Sequence, residues 1–343
     1  MVNEKKLRDL GEAGILARIF ERLGPTGPGV LVGPGDDAAA LAGSGADAVV
    51  FASDAMVESV HFDLAFMTAA DVGWRLTCAN LSDLAAMGAE PWAAVISVAA
   101  PASTPATAIE SFYDGAAELS RREGLTLVGG DVVASPAGLF FAMAVIGRAA
   151  GGKCLTRGGA APGDMLLLTG EIGLAQAGLH VLGGEGECGP AAAEEATSRY
   201  RRPTPRLEKG RRLLRENYAT AAIDTSDSLS ASAHHLARAS GVTITLDSAA
   251  LPVSEAARDV AASRGEDAVS YVLAAGEDFE LLFTCPADRA NEAAAAAEGR
   301  VIGAVSEGEP KVLLIEGREE KPLAPEGFTH FGAFSGGGSD RPR

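Results

Sequence analysis

The sequence predicts two domains that mix helices and strands, of α/β and α+β type. Three observations carry this. The chain has 343 residues, too many for one ordinary core. Strand-like and helix-like segments alternate in both halves. Between the halves runs GRAAGGKCLTRGGAAPGD at 147–164, a glycine-rich stretch suited to turns rather than to a sheet or helix. The expected division is an N-terminal domain over 1–150, a C-terminal domain over 151–334 and a flexible tail, SGGGSDRPR, over 335–343.

Taken in order, residues 3–23 space their apolar side chains at helical intervals and stop at Gly24. β-like runs and turns follow to about residue 66. Thr68-Ala-Ala-Asp71 is a capping box, in which hydroxyl and acid each cover a free amide; it opens a helix running toward Gly88. Ser103-Thr104-Pro105 starts another, which Gly124 stops. Residues 125–128 and 139–146 read as strands. In the second half, MLLLTG at 165–170 is a strand and GLAQAGLHVLGG a helix. EGECGPAAAEEA reads as a loop or short helix, and 206–218 as a basic helix. Residues 221–224 end a strand, and 228–240 form a helix closed by Gly241. VTITLD, ELLFTC and KVLLIEG complete the strands.

Composition narrows the function classes. Hydrophobic residues make up 47% and charged ones 22%, the balance of a globular protein. A net charge of −17 argues against a nucleic-acid partner, since phosphate backbones call for a basic footprint. Cys78, Cys154, Cys188 and Cys285 are scattered and form no CxxC pair, which fits a reduced cytoplasmic setting. The start of the chain carries no apolar signal core, and the longest apolar run, 139–146, is far too short to span a bilayer.

The distribution of charge is more telling. Between Arg22 and Arg121 the only Lys or Arg is Arg75, while the same span carries twelve carboxylates, among them the adjacent pair Asp36 and Asp37. Four segments share a design: VLVGPGDD, AVVFASD, LTLVGGD and AAIDTSD are each a short apolar run leading to aspartate. Any one of them reads most simply as an acid starting a turn. Four together point to carboxylates gathered at the rims of sheets. Two carboxylates about 4 Å apart repel by roughly 4 kcal/mol at an effective dielectric near 20. A gathered set therefore calls for a cation, and Mg²⁺ suits hard oxygen ligands. No His/Cys cluster suggests zinc; His234 and His235 are neighbours on a helix and point apart. Asp83, within ANLSDLAAMGAEP, sits in the most apolar part of its helix; it is either a solvent-facing residue or another ligand.

Gly147 to Lys153 matches the G-x-x-x-x-G-K spacing of a phosphate-binding loop, but Cys154 replaces the required hydroxyl and turn material follows where a helix should begin. That reading is rejected. Arg148, Lys153 and Arg157 remain as cations near the hinge. The basic stretch SRYRRPTPRLEKGRRLLR at 198–215 reads mainly as a solvated helix face.

GPGDDAA, SDAMVESVHF, NLSDLAAMGAEP, GGD at 129–131, LTRGGAAPGD, RRPTPR, IDTSDSL and AGEDFELLFT follow one another in an order that resembles the thiamine-monophosphate kinases. This family belongs with the aminoimidazole-ribonucleotide synthetase-like proteins. The resemblance reaches GFTHF at 327–331 and so covers almost the whole chain. It implies an N-terminal α/β domain that makes a homodimer, a C-terminal α+β domain, and transfer of the ATP γ-phosphoryl group to thiamine monophosphate. By the same resemblance, Asp37, Asp54, Asp83 and Asp131 are Mg²⁺ carboxylates of the first domain, with Ser53 beside them, and Asp224 and Asp227 those of the second. Ser226, Gly130, Asp131, Arg157 and Tyr113 match ATP contacts, and His61, Glu277 and Phe328 thiamine contacts. Several positions depart from the family pattern: Ala52 in place of a hydroxyl residue, Val132 and Val133 in place of threonines, Ser228 in place of glycine, and Phe328 and Thr329 in place of Tyr and Asp.

The implied acceptor is a phosphate oxygen already largely ionised near neutral pH, because its second pKa is about 6. No general base is required, and catalysis reduces to in-line alignment and neutralisation of charge, with Asp131 and Arg157 expected in the catalytic roles. Competing readings are a sibling ATP-using enzyme or a non-catalytic, Mg²⁺-dependent nucleotide binder. Selenophosphate synthetase would bring a reactive Cys near the N-terminus, whereas the first cysteine is Cys78, and the hydrogenase-maturation sibling would end in cysteine. ADP release with and without thiamine monophosphate separates the remaining cases.

Overall fold

The computed structural model describes residues 6–23, 26–43, 47–328 and 330; the expected tail at 335–343 lies outside the described residues. The first sheet contains β1 (Val30–Val32), β2 (Ala39–Ala42), β3 (Ala48–Val57), β4 (Glu90–Ala100), β5 (Thr126–Ala134) and β6 (Phe140–Ala149), in the spatial order β1-β2-β3-β6-β4-β5. The second contains β7 (Asp164–Thr169), β8 (Ala221–Asp224), β9 (Thr243–Asp247), β10 (Leu281–Pro286), β11 (Gly299–Ser306), β12 (Lys311–Glu316) and β13 (Glu319–Pro322), in the order β13-β12-β9-β11-β7-β10-β8. Each sheet is mainly antiparallel, with β4–β5 and β9–β12 the parallel pairs.

Helices α1 (Leu7–Leu23), α2 (Ala69–Ala86) and α3 (Ala106–Glu123) belong to the first half. The second half holds α4 (Leu174–Leu182), α5 (Pro190–Arg201), α6 (Leu207–Arg215), α7 (Leu229–Ser240), α8 (Glu255–Arg264), α9 (Ala268–Ala274) and α10 (Ala290–Ala297). The punctuation expected from sequence operates where it was placed. Thr68 and Asp71 form the reciprocal cap of α2, Gly124 ends α3 in the left-handed region, and Ser228 and Gly241 bound α7.

Three expectations change. First, β3 and β5 run past their aspartates, so Asp54 and Asp131 lie inside strands rather than at their ends; β3 continues because β6 pairs with it as far as Val57, opposite Phe140. Second, the loop-like EGECGPAAAEEA leads into α5, a full helix of 12 residues with Pro190 at its start. Third, β4, β11 and the helices α8 to α10 go beyond the expected elements; β11 lies between β9 and β7. Its glycines and small residues lack a strong strand pattern; at Gly303 a side chain would meet the Thr245 carbonyl at 2.1 Å.

One buried apolar cluster starts under the first sheet, with Leu81, Leu84, Phe112 and Phe141, and continues into the second half through Leu207, Leu213 and Phe283. A second surrounds Leu166, Ile223, Leu236 and Ile244. The halves are also stitched by polar bonds. Trp74 Nε1 donates to the Pro203 carbonyl at 2.7 Å, Arg201 Nε to the Phe66 carbonyl at 2.7 Å, and Arg202 pairs with Asp71 at 2.8 Å and Glu118 at 3.0 Å. Arg206 forms a buried pair with Glu280. The arginines of RRPTPR thus turn inward rather than forming a solvated face, because their acceptors lie far away in sequence. Among the described residues, no helix is long and apolar enough to cross a membrane.

Candidate active site

Five aspartates converge where α2 meets the end of β8. Asp37 follows the turn after β1, Asp54 is in β3, Asp83 in α2, Asp224 at the end of β8 and Asp227 in the loop to α7. Ligand oxygens of Asp37, Asp83 and Asp224 lie within 4.8 Å of one another. Strand alternation aims Asp54 to the same face as buried Val50, Ala52 and Met56, and its amide donates to Asn80 Oδ1 at 3.2 Å. Ser82 Oγ on α2 donates to one oxygen of Asp224 at 2.5 Å, and Ser226 Oγ to the other at 2.8 Å. The first of these bonds crosses from one half of the chain to the other.

Electrostatics records the crowding. Burial pushes the Asp37 carboxyl up to about 7, with Arg157 opposing the rise and Asp224 adding to it. Burial lifts Asp54 to about 6, helped by Asp224 and Asp227, and lifts Asp227 to about 6, helped by Asp224. Asp83 is raised by burial and then by Asp54, Asp224 and Asp37. The Asp37 side chain is 1% exposed, and its Oδ2 is buried without a hydrogen-bond partner. An orphaned carboxylate oxygen inside an all-oxygen set fits a hard divalent cation such as Mg²⁺ and does not fit zinc.

Arg157 supplies the neighbouring positive charge. Its Nη2 lies 2.7 Å from Asp37 Oδ1, and its own amide donates to the Asp36 carboxylate at 3.1 Å. The adjacent acids therefore divide the work. Asp37 points into the cluster, while Asp36 braces the backbone that carries Arg157, a role the sequence did not reveal.

Other expected residues stand elsewhere. In the sheet register Asp131 lies opposite Ser97, which lies opposite Ala142, so Asp131 is on the face opposite to Asp54 and Met143. It is exposed, and its Oδ1 accepts from the Val132 amide. Ser53 shares that outer side, and its hydroxyl donates to the Met143 carbonyl at 3.0 Å. Gly130 is explained by packing: a Cβ there would meet the Ile96 carbonyl at 1.9 Å. Tyr113 packs edge-on against Phe112, 5.4 Å between centroids, and makes no bond to the acidic cluster.

The expected thiamine contacts do come together. His61 lies 6.4 Å from Phe328 and 5.1 Å from His330, ring to ring, and His330 meets Phe328 edge-on at 4.7 Å. His330 escaped the sequence reading, although it sits two residues beyond Phe328. His61 Nδ1 accepts from the Val57 amide at 3.0 Å, so the neutral ring carries its proton on Nε2. Burial lowers its pKa, and His330 lowers it further. Glu277 has φ 63, in the left-handed region, and its amide donates to the Ser226 carbonyl at 2.7 Å. The loop that carries Asp224 and Asp227 and the segment that carries Glu277 are therefore joined through one backbone bond. Ser228 and Ser230 donate to the Glu326 carbonyl and so anchor the segment that carries Phe328.

Comparison with known proteins agrees along the whole chain. Residues 35–149 match the family AIR synthase related protein, N-terminal domain, and residues 161–315 its C-terminal domain. A thiamine-monophosphate kinase of Mycobacterium tuberculosis is 36% identical over 338 residues, 97% of this chain and 95% of that one. The Escherichia coli K12 enzyme is 36% identical over 278 residues, 80% of this chain and 83% of its own. A solved structure described as AaThiL complexed with AMPPCP and TMP superposes with TM-score 0.85 at 31% identity, covering 96% of this chain and 99% of that one. Escherichia coli HypE, a hydrogenase maturation protein, shares the fold at 22% identity and TM-score 0.68, covering 81% of this chain and 85% of that one. With two synthase-related domains in order and relatives of this similarity over nearly all of its length, the chain belongs to the thiamine-monophosphate kinase family.

Proposed function

We propose that this chain transfers the γ-phosphoryl group of ATP to thiamine monophosphate, giving thiamine diphosphate, the last step in making that cofactor. One observation carries the reading beyond family membership: Asp37, Asp83 and Asp224 converge from both halves of the chain within 4.8 Å, beside Arg157. These three aspartates hold Mg²⁺, with Asp54 and Asp227 completing the acidic lining. The bound cation supplies the positive charge that lets two phosphorylated ligands enter an acidic cleft.

The chain's own residues do the positioning. Arg157 offers a planar fork to phosphoryl oxygens, and the Ser226 hydroxyl faces the nucleotide. His61, Glu277 and Phe328 take the thiamine portion, where a carboxylate and an aromatic face suit a cationic ring. The acceptor phosphate is ionised without help, so transfer is direct and in line, and alignment dominates.

The homodimer belongs to the same reading. Phe51, Trp92, Val95 and Val133 are exposed on the outer side of the first sheet, the side that carries Asp131. A second copy covering this apolar surface would also bury Asp131, and would decide whether Gly130 and Asp131 meet a ligand. Four free cysteines suit a reducing, cytoplasmic setting.

The test is chromatography of products. Purified protein with ATP, thiamine monophosphate and Mg²⁺ should yield thiamine diphosphate and ADP in equal amounts, and neither once the cation is chelated. ADP release that is indifferent to thiamine monophosphate would overturn the reading. Light scattering reads the dimer directly, and a monomer at micromolar concentration would refute that part.

A further inference from the structure

We propose that Arg75 is a positioning residue for the thiamine end of the cleft, aiming the Glu277 carboxylate at the ligand. The proposal rests on the reading of Glu277 as a substrate contact. Arg75 lies in the second turn of α2, and its side chain is 0% exposed. A buried guanidinium is costly unless it is paired and hydrogen-bonded. Arg75 finds its partners in two distant segments. One amine donates to the Tyr200 carbonyl, and the guanidinium lies over the Tyr200 ring at 4.5 Å. The other amine sits 2.6 Å from Glu277 Oε1.

The two ends of this ion pair differ. Arg75 is sealed in the core, whereas the Glu277 side chain is 37% exposed. The approach to Arg75 is from the buried side of the carboxylate, while the rest of the Glu277 side chain faces outward. The carboxylate is thus held from behind and open in front. Its backbone is held as well, at a φ of 63 that L side chains rarely adopt, by the bond from its amide to Ser226. Next to it, a Cβ at Gly276 would meet the Asp227 carbonyl at 2.3 Å, so the chain cannot retreat from the acidic loop. A strained backbone and a carboxylate paired with a buried cation on one side and exposed on the other are what presenting that carboxylate to a ligand cation requires. A staple that merely joined α2 to the second half would not need the open end.

Steady-state kinetics and melting temperature on Arg75→Lys, Arg75→Met, Glu277→Gln and the Arg75→Met/Glu277→Gln double variant test this. Arg75→Met should raise KM for thiamine monophosphate about tenfold while KM for ATP stays within about twofold, because only one end of the cleft loses its geometry. Arg75→Lys, which keeps the charge but loses the fork, should fall between wild type and Arg75→Met. The double variant should be no worse than the worse single one, since both changes break one interaction. If Glu277→Gln shifts KM for thiamine monophosphate but both Arg75 variants only lower the melting temperature, Arg75 is structural and the proposal fails. If Glu277→Gln itself leaves that KM unchanged, the substrate reading of Glu277 fails and takes the proposal with it. Should Arg75→Met not fold, Arg75→Lys decides between these outcomes.

Discussion

At the acidic end of the cleft, Asp37, Asp54, Asp83 and Asp224 are largely withdrawn from solvent, with Asp227 at the exposed edge, and the group is tied across the halves of the chain by the bond from Ser82 to Asp224. At the end we assign to thiamine, His61, Glu277 and Phe328 stand half open on loops and segment ends, held by one ion pair and a left-handed backbone. The first region is expensive to build: like charges are concentrated in low dielectric and lift one another's proton affinity. The second requires few buried polar bonds and can change side chains cheaply. An enzyme of this construction fixes its phosphate chemistry in the core and leaves recognition of the organic ligand at the rim.

The largest effects should therefore come from the acidic end. Asp83→Asn or Asp224→Asn should lower kcat by about a hundredfold or more, the scale of losing one preorganised electrostatic group. Both proteins should stay folded by circular dichroism. Turnover near wild type at limiting Mg²⁺ would dissolve the distinction between the two ends. Arg157→Lys keeps the charge beside Asp37 but loses the fork, and should cost about tenfold in kcat/KM for ATP. An unchanged value would return Arg157 to the role of a hinge cation.

At the other end, Glu277→Gln and Phe328→Ala should raise KM for thiamine monophosphate about tenfold with little change for ATP, whereas Phe328→Tyr should be tolerated. Joint movement of both KM values would show that the two regions are not separable. The smallest effect is on stability. Asp37, at about 7, and Asp54 and Asp227, at about 6, lie above the ordinary 3.8, so folding tightens their hold on protons. Their stabilising contribution is complete below 3.8 and is lost as pH rises through 6 to 7. With chelator present, wild type should melt a few degrees below Asp54→Asn at about pH 7 and together with it at about pH 4. Parallel melting curves across that range would remove the claim that burial disfavours the charged carboxylates.

The acidic end was the more legible of the two. Apolar runs leading into GDD and IDTSD announce buried strands meeting acids, and the outlines of both domains follow from strands, caps and a glycine-rich hinge. What sequence could not assign is which face each acid takes. Asp54 and Asp131 follow similar apolar runs, yet the register puts them on opposite sides of one sheet. Asp36 and Asp37 are adjacent, and only the position of Arg157, 121 residues away, separates their roles. Partners at that range also explain why the arginines of RRPTPR were read as solvated. Arg75 left a trace that could have been followed. It is a lone cation among twelve acids, set in an apolar helix, which is where a buried ion pair belongs.

The bonds from Trp74 and Arg75 to the 200–203 segment have a consequence for how the protein is made. Arg75 and its acceptor at Tyr200 are 125 residues apart. At roughly 5–20 residues per second, about 6–25 s pass on the ribosome after α2 is synthesised before that acceptor exists. During that interval the helix carries an indole and a guanidinium with no partner, and the leading half is an incomplete unit waiting for its second part. Nascent chains arrested before Tyr200 has emerged should be cut by protease within α2, and chains arrested after Arg206 has emerged should resist. Equal resistance would mean that the first half closes without the seam.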